Sequence, residues 1–185
     1  MSAASLPLGW RVSQTPDVLS TPGRDFPRGR ISEITGARSS GRTSVLHALL
    51  AASTGRGEHA ALVDLWGAFD AVSAEAVGVD LAKLLWVRCG GNAEHAMRSA
   101  DLLIQAGGFG VVAVDLAEAT AAALNRIPAT AWFRFRLAVE RTPTVLAVVA
   151  DRPLAKSCAS LVVKLPPRRA VFTGRAPFLL LRDAV

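Results

Sequence analysis

A glycine-bounded segment in the first quarter of the chain has the residue types and spacing needed to hold a phosphate. Gly36-Ala37-Arg38-Ser39-Ser40-Gly41-Arg42-Thr43 follows the pattern G-x-x-x-x-G-basic-[Ser/Thr], and Ser44 comes next. In such a loop the glycines allow a tight turn, and successive backbone N–H groups point inward at the positive end of the next helix. We therefore predict that residues 36–44 bind the phosphates of a nucleotide, with ATP as the expected cofactor.

The basic residue of this segment is arginine, whereas the usual pattern has lysine. Lysine is a compact charge on a flexible stem, but the guanidinium of Arg42 is a broad planar fork that fits less easily between the outer phosphates. The hydroxyl of Thr43 is the expected ligand for Mg²⁺. Two interpretations stay open: a weak or vestigial site for ATP and Mg²⁺, or a glycine-rich turn that has kept its shape and lost its ligand.

A second predicted metal ligand ends an apolar segment further along the chain. Residues 111–115 read VVAVD, and an apolar strand that ends in aspartate near a phosphate loop commonly holds Mg²⁺, directly or through water. We therefore predict that Asp115 and Thr43 share the metal ion. Asp64 ends another short apolar segment in the same way and is expected at the same edge of the sheet.

Strand-like and helix-like segments alternate along the chain from residue 30 to residue 151. This alternation predicts an α/β fold with a mostly parallel, twisted sheet flanked by helices, and the near-continuous apolar strands indicate that both faces are covered. Predicted strands cover residues 30–35, 60–65, 84–89, 110–116 and 144–151, and predicted helices cover residues 43–53, 74–77, 92–106 and 129–141. Ser73 is the expected cap of the short second helix.

The two ends of the chain have different patterns. Residues 1–29 are rich in proline and glycine, which predicts an extended lead segment before a single domain of residues 30–185. The last three predicted strands, residues 158–165, 170–174 and 176–183, are joined by short turns without helices. We therefore expect these three strands to pair antiparallel at the C-terminal edge of the fold.

The composition excludes several classes of protein. Hydrophobic residues make up 51% of the chain and charged residues 19%, which excludes a disordered protein. The longest apolar runs, such as residues 145–150, are far shorter than the roughly 18 residues that span a bilayer. Cys89 and Cys158 form no metal-ligand pattern. Because the N-terminus also lacks the features of a secretory signal, we expect a cytoplasmic protein without membrane contact.

Positive charge is concentrated in the last third of the chain. Residues 121–185 hold 11 basic and three acidic side chains, whereas residues 1–120 hold 10 basic and 12 acidic ones. Such an excess favours an acidic partner, either nucleic acid or the acidic face of a protein. The candidate contacts are Arg134, Arg136, Arg168 and Arg169. The alternative is that Arg134 and Arg141 form the solvated face of a helix whose core face is Trp132, Phe135 and Val139, and that residues 166–169 form an exposed turn.

Several segments, in this order, resemble the RecA recombinase family. They are FPRGRISEITGARSSGRTSVL (26–46), AALVDLWGAFD (60–70), AVGVDLAKLLWVRC (76–89) and AEHAMRSADLLIQAGGFGVVAVD (93–115). The resemblance covers about residues 26–165 and implies a RecA-like core with a site for ATP and Mg²⁺. It also implies a role in DNA repair or recombination, with DNA as a ligand.

The chain departs from the family at positions that carry activity. With Asp64 and Asp70 aligned, the glutamate that activates the attacking water in active members is replaced by Trp66, whose indole has no basic site. The segments after Asp115 and after Val149 are shorter than the two DNA-binding loops of the family, and its N-terminal polymerisation domain and C-terminal domain are expected to be absent. The resemblance therefore indicates a reduced core with a degenerate nucleotide site.

Within the family, the segment FRFRLAVERTPTVLAVVADR (133–152) is similar to the RecA-like accessory proteins called ImuA. This resemblance implies a regulatory protein of the SOS response and translesion mutagenesis, associated with the nucleoid. Its expected partners are RecA or polymerase subunits of the ImuB-like and DnaE-like types, together with single-stranded DNA. The alternatives are an active DNA-dependent ATPase or recombinase, and a purely structural interaction module with a vestigial phosphate loop.

Overall fold

A six-stranded parallel sheet forms the centre of the fold. The computed structural model describes residues 18–167, 170–175 and 178–184 of the chain. Its strands are β1 Val18–Thr21, β2 Arg24–Pro27, β3 Arg30–Gly36, β4 His59–Asp64, β5 Leu84–Arg88, β6 Phe109–Asp115, β7 Val145–Ala150, β8 Ala159–Leu165, β9 Ala170–Arg175 and β10 Phe178–Ala184. Its helices are α1 Arg42–Gly55, α2 Ala71–Ala76, α3 Ala93–Ala106, α4 Ala121–Asn125 and α5 Ala129–Val139, with short 3₁₀ turns at Leu81–Lys83 and Lys156–Cys158. The strand order β5-β4-β6-β7-β3-β8 confirms the predicted α/β fold class.

Hydrophobic side chains cover both faces of the sheet. Along β6, Val112 and Val114 belong to the cluster beneath α3 and α5, whereas Val111 and Ala113 belong to the cluster on the α1 side. All residues of β7 are buried as well. Strands covered on both faces need no polar alternation, which is why these two segments are visible in the sequence as apolar runs. The predicted core positions Trp132, Phe135 and Val139 on α5 are buried in the first of these clusters.

The carboxyl ends of three strands bring the predicted chemical groups to one edge of the sheet. β3 ends at Gly36, β4 at Asp64 and β6 at Asp115, and the pairing of β4 with β6 sets Asp64 opposite Asp115. β7 lies between β6 and β3, so one strand separates Asp115 from the loop that follows Gly36. Because open parallel sheets bind ligands beyond the carboxyl ends of their strands, a ligand site is expected at this edge.

The last three strands do not all pair antiparallel, which corrects the sequence-based expectation. β8 joins the central sheet parallel to β3, and of the three strands only β9 and β10 pair antiparallel, in a separate two-stranded sheet. The connection from β7 to β8 is held by buried Glu33, whose carboxylate accepts hydrogen bonds from the N–H groups of Leu154 (2.5 Å) and Ala155 (2.8 Å). A short connection fixed in this way returns the chain in parallel without a long crossover helix.

Residues 18–27 form a hairpin where the sequence predicts an extended lead segment. β1 and β2 pair antiparallel across a turn at Gly23 (φ +77°), a backbone conformation that favours glycine. Leu19 and Phe26 are fully buried and pack in the cluster on the α1 side of the sheet. The hairpin therefore covers part of the core, and residues 1–17 lie outside the described residues.

Two helical features also differ from the sequence-based expectation. α2 begins after Asp70, whose carboxylate accepts hydrogen bonds from the Val72 N–H and the Ser73 hydroxyl, so the cap is Asp70 and not Ser73. α4 was not predicted because it is a single turn, capped by Thr120, and too short for helical periodicity to show. No helix in the part of the chain that the structure describes is long and apolar enough to cross a membrane.

Candidate phosphate-binding site

The predicted phosphate loop is a tight turn between β3 and α1. A methyl group added at Gly36 would lie 2.7 Å from the carbonyl oxygen of Leu165 and against the Ser40 hydroxyl, so the backbone leaves room only for glycine. Gly41 caps α1 with φ +91°, and Ser39 is also left-handed at φ +62°. The Ser40 hydroxyl is buried and has no hydrogen-bond partner among the described residues. The glycine positions of the motif therefore have a steric reason in this fold.

A cavity of about 690 Å³ opens in front of this loop. Six of the nine predicted phosphate-binding residues line it: Arg38, Ser39, Gly41, Arg42, Thr43 and Ser44. Gly36, Ala37 and Ser40 complete the turn behind them. The cavity also has a lining residue that the sequence analysis missed, Glu118, which follows β6 by three positions. The structure thus brings the predicted loop together with one acidic side chain at its mouth.

Glu118 forms ion pairs with both arginines of the phosphate loop. One carboxylate oxygen lies 2.6 Å from Nη2 of Arg38, and the other lies 3.5 Å from Nη2 of Arg42. Arg42 is only 7% exposed, and its Nη1 lies 3.5 Å from the carbonyl oxygen of Ala117. The guanidinium of Arg42 therefore lies against the segment that follows β6. The only sequence signal for Glu118 is an acidic residue just beyond a strand that ends in aspartate.

Asp115, the second predicted metal ligand, is near enough to the same guanidinium for the charge of Arg42 to act on its carboxylate. Its carboxylate accepts a hydrogen bond from the Ala117 N–H at 2.9 Å. Burial raises the pKa of Asp115, and the nearby carboxylate of Asp64 adds to this effect, while the Ala117 hydrogen bond and the charge of Arg42 oppose it. The described residues contain no group of three or more histidine, cysteine or acidic side chains placed to hold a metal.

These surroundings fit a divalent cation poorly. Mg²⁺ binds through several oxygen ligands in a strict octahedral geometry, and its own charge is repelled by a guanidinium beside one of those ligands. The backbone turn of residues 36–41 has the left-handed residues Ser39 and Gly41 that such a loop needs, and its role in binding phosphate stays a prediction. The assignment of Thr43 and Asp115 to Mg²⁺ stays a prediction, and the position of Arg42 argues against it.

Asp64, the neighbouring strand-end carboxylate, is fully engaged in the fold. It is 2% exposed and accepts hydrogen bonds from five donors. These are the N–H groups of Trp66 (3.2 Å), Gly67 (2.8 Å), Ala68 (3.2 Å) and Phe69 (3.0 Å) and the indole N–H of Trp86 (3.1 Å). The turn after β4 is therefore folded around this carboxylate, which leaves Asp64 no free oxygen to activate a water molecule.

Trp66 is exposed at the same edge but fixed in place. Its side chain is 52% exposed, and its indole N–H donates a hydrogen bond of 3.0 Å to the carbonyl oxygen of Glu118. The ring packs on Gly91 so closely that a methyl group there would lie 2.5 Å from it. Trp66 therefore anchors the backbone of the residue whose side chain pairs with Arg38 and Arg42.

A second cavity of about 600 Å³ adjoins the phosphate loop. It shares Thr43 and Ser44 with the first cavity and is otherwise lined mainly by small or apolar side chains: Pro22, His47, Ala48, Ala51, Ala52, Ser73 and Val77. Burial lowers the pKa of His47, although the charge of Asp70 partly opposes the shift, so the imidazole is favoured in its neutral form. A neutral, largely apolar recess of this kind has the shape and polarity that suit a flat organic ring.

Two of the four predicted nucleic-acid contacts lie on α5, and neither lines the cavity in front of the phosphate loop. Arg134 and Arg136 are exposed on α5, where Arg134 forms an ion pair of 3.1 Å with Asp101 of α3. Arg168 and Arg169 lie outside the described residues. The structure thus leaves Arg134 and Arg136 exposed on α5, and the role of the four arginines as contacts stays a prediction.

Comparisons with known proteins agree with this architecture. Residues 18–126, more than half of the chain, match the family model of the RecA N-terminal domain. The chain is 43% identical to the RecA protein of Methylococcus capsulatus over 90 residues, which is 49% of this chain and 26% of that protein. It is 44% identical to the RecA protein of Corynebacterium urealyticum over 91 residues, again 49% of this chain and 24% of the relative.

A solved structure gives the same result for the fold. The crystal structure of the RadB recombinase matches with a TM-score of 0.57 at 17% identity, covering 76% of each chain. The curated relatives are much longer, and the matched part is about a quarter of their length. The family model, the sequence identity and the order of the strands together show that the chain belongs to the RecA family.

Proposed function

We propose that this chain is an accessory, regulatory member of the RecA family in DNA repair. In this proposal it binds a nucleotide at residues 36–44 and acts by contacting protein partners and DNA, without hydrolysing ATP at a useful rate. The observation that carries the proposal is the state of the carboxylates near the phosphate loop. Hydrolysis needs a group that orients or deprotonates the attacking water, and Asp64, Asp70 and Glu118 are each engaged in other contacts.

Three carboxylates and one aromatic residue support this reading. Asp64 accepts five hydrogen bonds, Asp70 caps α2, and Glu118 pairs with two arginines. Trp66 occupies the position at which the resemblance places the water-activating glutamate, and an indole offers one N–H donor and no base. A phosphate loop whose lining carboxylate, Glu118, is paired with two arginines suits binding better than turnover.

The two adjoining cavities suggest how a nucleotide would lie. The phosphates fit the first cavity, in front of the loop and the N-terminus of α1, where backbone N–H groups and the helix dipole favour an anion. The base fits the second cavity, because Thr43 and Ser44 line both. Ground-state binding of this kind needs neither a catalytic base nor the lysine of the usual motif.

The contacts with DNA and with partners are proposed from charge and shape. A cavity of about 470 Å³ lies between α4, α5 and the connection that follows β7, and Phe133, Arg152 and Lys156 are among its lining residues. Aromatic rings and cations in one groove are the features that hold single-stranded nucleic acid. The similarity to ImuA proteins adds RecA, ImuB-like and DnaE-like polymerase subunits as candidate partners in the SOS response and translesion synthesis, with the protein at the nucleoid.

The decisive experiment measures ATP binding and ATP turnover on the same preparation, with and without single-stranded DNA. We expect saturable binding of ATP. The turnover rate is expected to lie at least about a hundredfold below roughly 1 s⁻¹, the lower end of the range of typical enzymes. A pull-down with RecA and with the polymerase subunits tests the partner side of the proposal. DNA-stimulated turnover in the ordinary range would contradict the accessory role.

The second candidate function is an active DNA-dependent ATPase, and one observation favours it. Glu118 lines the phosphate cavity and is a carboxylate, so it could replace the missing glutamate as the base. Glu118→Gln separates the two functions, because it abolishes turnover if Glu118 is the base. Glu140→Gln is the matched control, since Glu140 also pairs with one arginine, Arg30, but on another part of the surface.

A further inference from the structure

The buried guanidinium of Arg42 has bonding capacity that the fold leaves largely unused. A guanidinium carries five N–H donors. The two polar contacts that Arg42 makes among the described residues, with Ala117 and Glu118, are both 3.5 Å long. Protein hydrogen bonds of this type cluster near 2.9–3.0 Å. A charged group that is 7% exposed and has only such long contacts is suited to bind an anion that comes closer.

The position of Arg42 also gives the site a cation of its own. The guanidinium lies between the phosphate loop and the segment after β6, and its charge acts on the carboxylate of Asp115. In this place it supplies the positive charge that a divalent metal would bring to the outer phosphates. Arginine is well suited to this task, because its planar fork binds two oxygens of one phosphate at once.

In the same cavity, the carboxylate of Glu118 occupies the position beside the two arginines that a bound anion would take. Its carboxylate bridges Arg38 and Arg42 and lines the space in front of Thr43 and Ser44. The side chains of Arg38 and Glu118 are 83% and 37% exposed, so water screens this pair and opening it costs little. A phosphate that enters the cavity therefore competes with Glu118 for both guanidinium groups.

We infer that the loop of residues 36–44 is a metal-independent polyphosphate site, in which Arg42 provides the cation and Glu118 is an internal competitor that the ligand displaces. The inference rests on the proposed function only in taking this loop as the phosphate site. It adds the ligand chemistry: a di- or triphosphate group bound without a divalent cation. It also adds a competing group within the site, the carboxylate of Glu118, which raises the ligand concentration needed for binding.

The test is a calorimetric titration of the full chain with inorganic triphosphate and with ATP, in EDTA and in excess Mg²⁺. We expect the dissociation constant for ATP to agree between the two conditions within about a factor of two. Binding of ATP only in the presence of Mg²⁺ would overturn the inference and leave the proposed function standing. Failure of both ligands under both conditions would overturn the inference together with the nucleotide part of the proposed function.

Two substitutions test the roles of the side chains. Glu118→Gln is expected to bind triphosphate about tenfold more tightly than the unmodified chain, which corresponds to about 1.4 kcal/mol. The control Glu140→Gln is expected to bind with unchanged affinity. Arg42→Lys restores the usual basic residue, and its affinity for ATP is expected to rise about tenfold when Mg²⁺ is added.

The anchoring of Trp66 to Glu118 gives a second readout. Because the indole N–H bonds to the backbone carbonyl oxygen of Glu118, displacement of the nearby Glu118 carboxylate is expected to change the fluorescence of Trp66. The change is assigned by its loss in Trp66→Phe, and circular dichroism verifies that each variant is folded. An affinity of Glu118→Gln equal to that of the unmodified chain would refute the role of Glu118 as a competitor.

Discussion

Asp64 and Asp115 end neighbouring strands and lie opposite each other in the sheet, yet the two strand ends are built differently. Asp64 accepts five hydrogen bonds from the turn that follows it and from Trp86. Asp115 accepts one hydrogen bond, from Ala117, and shares its surroundings with the guanidinium of Arg42. The first carboxylate organises the fold, and the second lies at the candidate site.

The difference begins in the residues that follow each aspartate. After Asp64 the chain reads LWGAFD, and Gly67 (φ +75°) allows it to fold back so that four backbone N–H groups meet the carboxylate. After Asp115 it reads LAEA, and the chain continues past the phosphate loop so that Glu118 meets Arg38 and Arg42. An apolar strand that ends in aspartate is therefore one sequence pattern with two structural outcomes.

The largest expected effect is a difference in stability between two alanine variants. Asp64→Ala leaves five donors without their acceptor and is expected to reduce the free energy of unfolding by about 3 kcal/mol. Asp115→Ala removes a half-buried carboxylate that has a single hydrogen bond, and a change of about 1 kcal/mol or less is expected. Guanidinium denaturation of both variants without nucleotide measures the difference. Equal losses would show that the two strand ends are not distinct.

Two adjacent glycines test the contact that holds Trp66. Gly90 and Gly91 both have positive φ, at +58° and +80°, so alanine at either position costs roughly 1–2 kcal/mol of backbone strain. A methyl group at Gly90 meets nothing within 4 Å, whereas at Gly91 it meets the Trp66 ring. Gly91→Ala is therefore expected to lose about 1–2 kcal/mol more stability than Gly90→Ala. Equal losses, measured by denaturation, would contradict the packing of Trp66 on Gly91.

The pH dependence of stability sharpens the comparison at Asp115. Burial raises the pKa of Asp115, so the fold favours its protonated form. A group with a raised pKa contributes stability that is fully present below its unfolded pKa and is lost as the pH rises through its folded pKa. The unfolding free energy of the unmodified chain is therefore expected to fall, relative to Asp115→Asn, as the pH rises above the usual aspartate range. A difference that is constant with pH would refute this.

Much of the fold could be predicted from the sequence because its signals are local. β6 and β7 are apolar runs, and α3 begins at Asn92, whose side chain caps it as the pattern indicates. The position of β8 could not be predicted in this way. Its parallel pairing with β3 depends on Glu33, which reaches across the sheet to hold Leu154 and Ala155, and no spacing in the sequence shows that contact.

The residues of the candidate site also differ in whether a local sequence pattern or a contact between distant residues identifies them. Residues 36–44 form one continuous segment with a spacing that backbone geometry dictates, so the sequence shows them directly. Glu118 could not be found, because its meaning depends on two arginines that lie some 75–80 positions earlier in the chain. The side-chain position of Arg42 is equally hidden: the sequence shows that the residue is not lysine, but not that its guanidinium lies against Ala117 and Glu118.

The smallest expected effect is that of restoring the glutamate alone. Trp66→Glu places a carboxylate where the resemblance expects the base, but Arg42 and Glu118 still hold the phosphate end of the site in its present arrangement. Orientation of the outer phosphates contributes to phosphoryl transfer as much as the base does. We therefore expect no measurable ATP turnover from this variant, with or without single-stranded DNA.

The matched comparison adds Arg42→Lys, alone and combined with Trp66→Glu. Only the double variant has both a base at the end of β4 and a lysine in the phosphate loop, which leaves the neighbourhood of Asp115 open to a metal ion. DNA-stimulated turnover is therefore expected to exceed the background only in the double variant. Steady-state assays on all three variants in Mg²⁺ make the measurement. Turnover by Trp66→Glu alone would show that Arg42 and Glu118 do not prevent hydrolysis. The missing base would then be the only defect of the site.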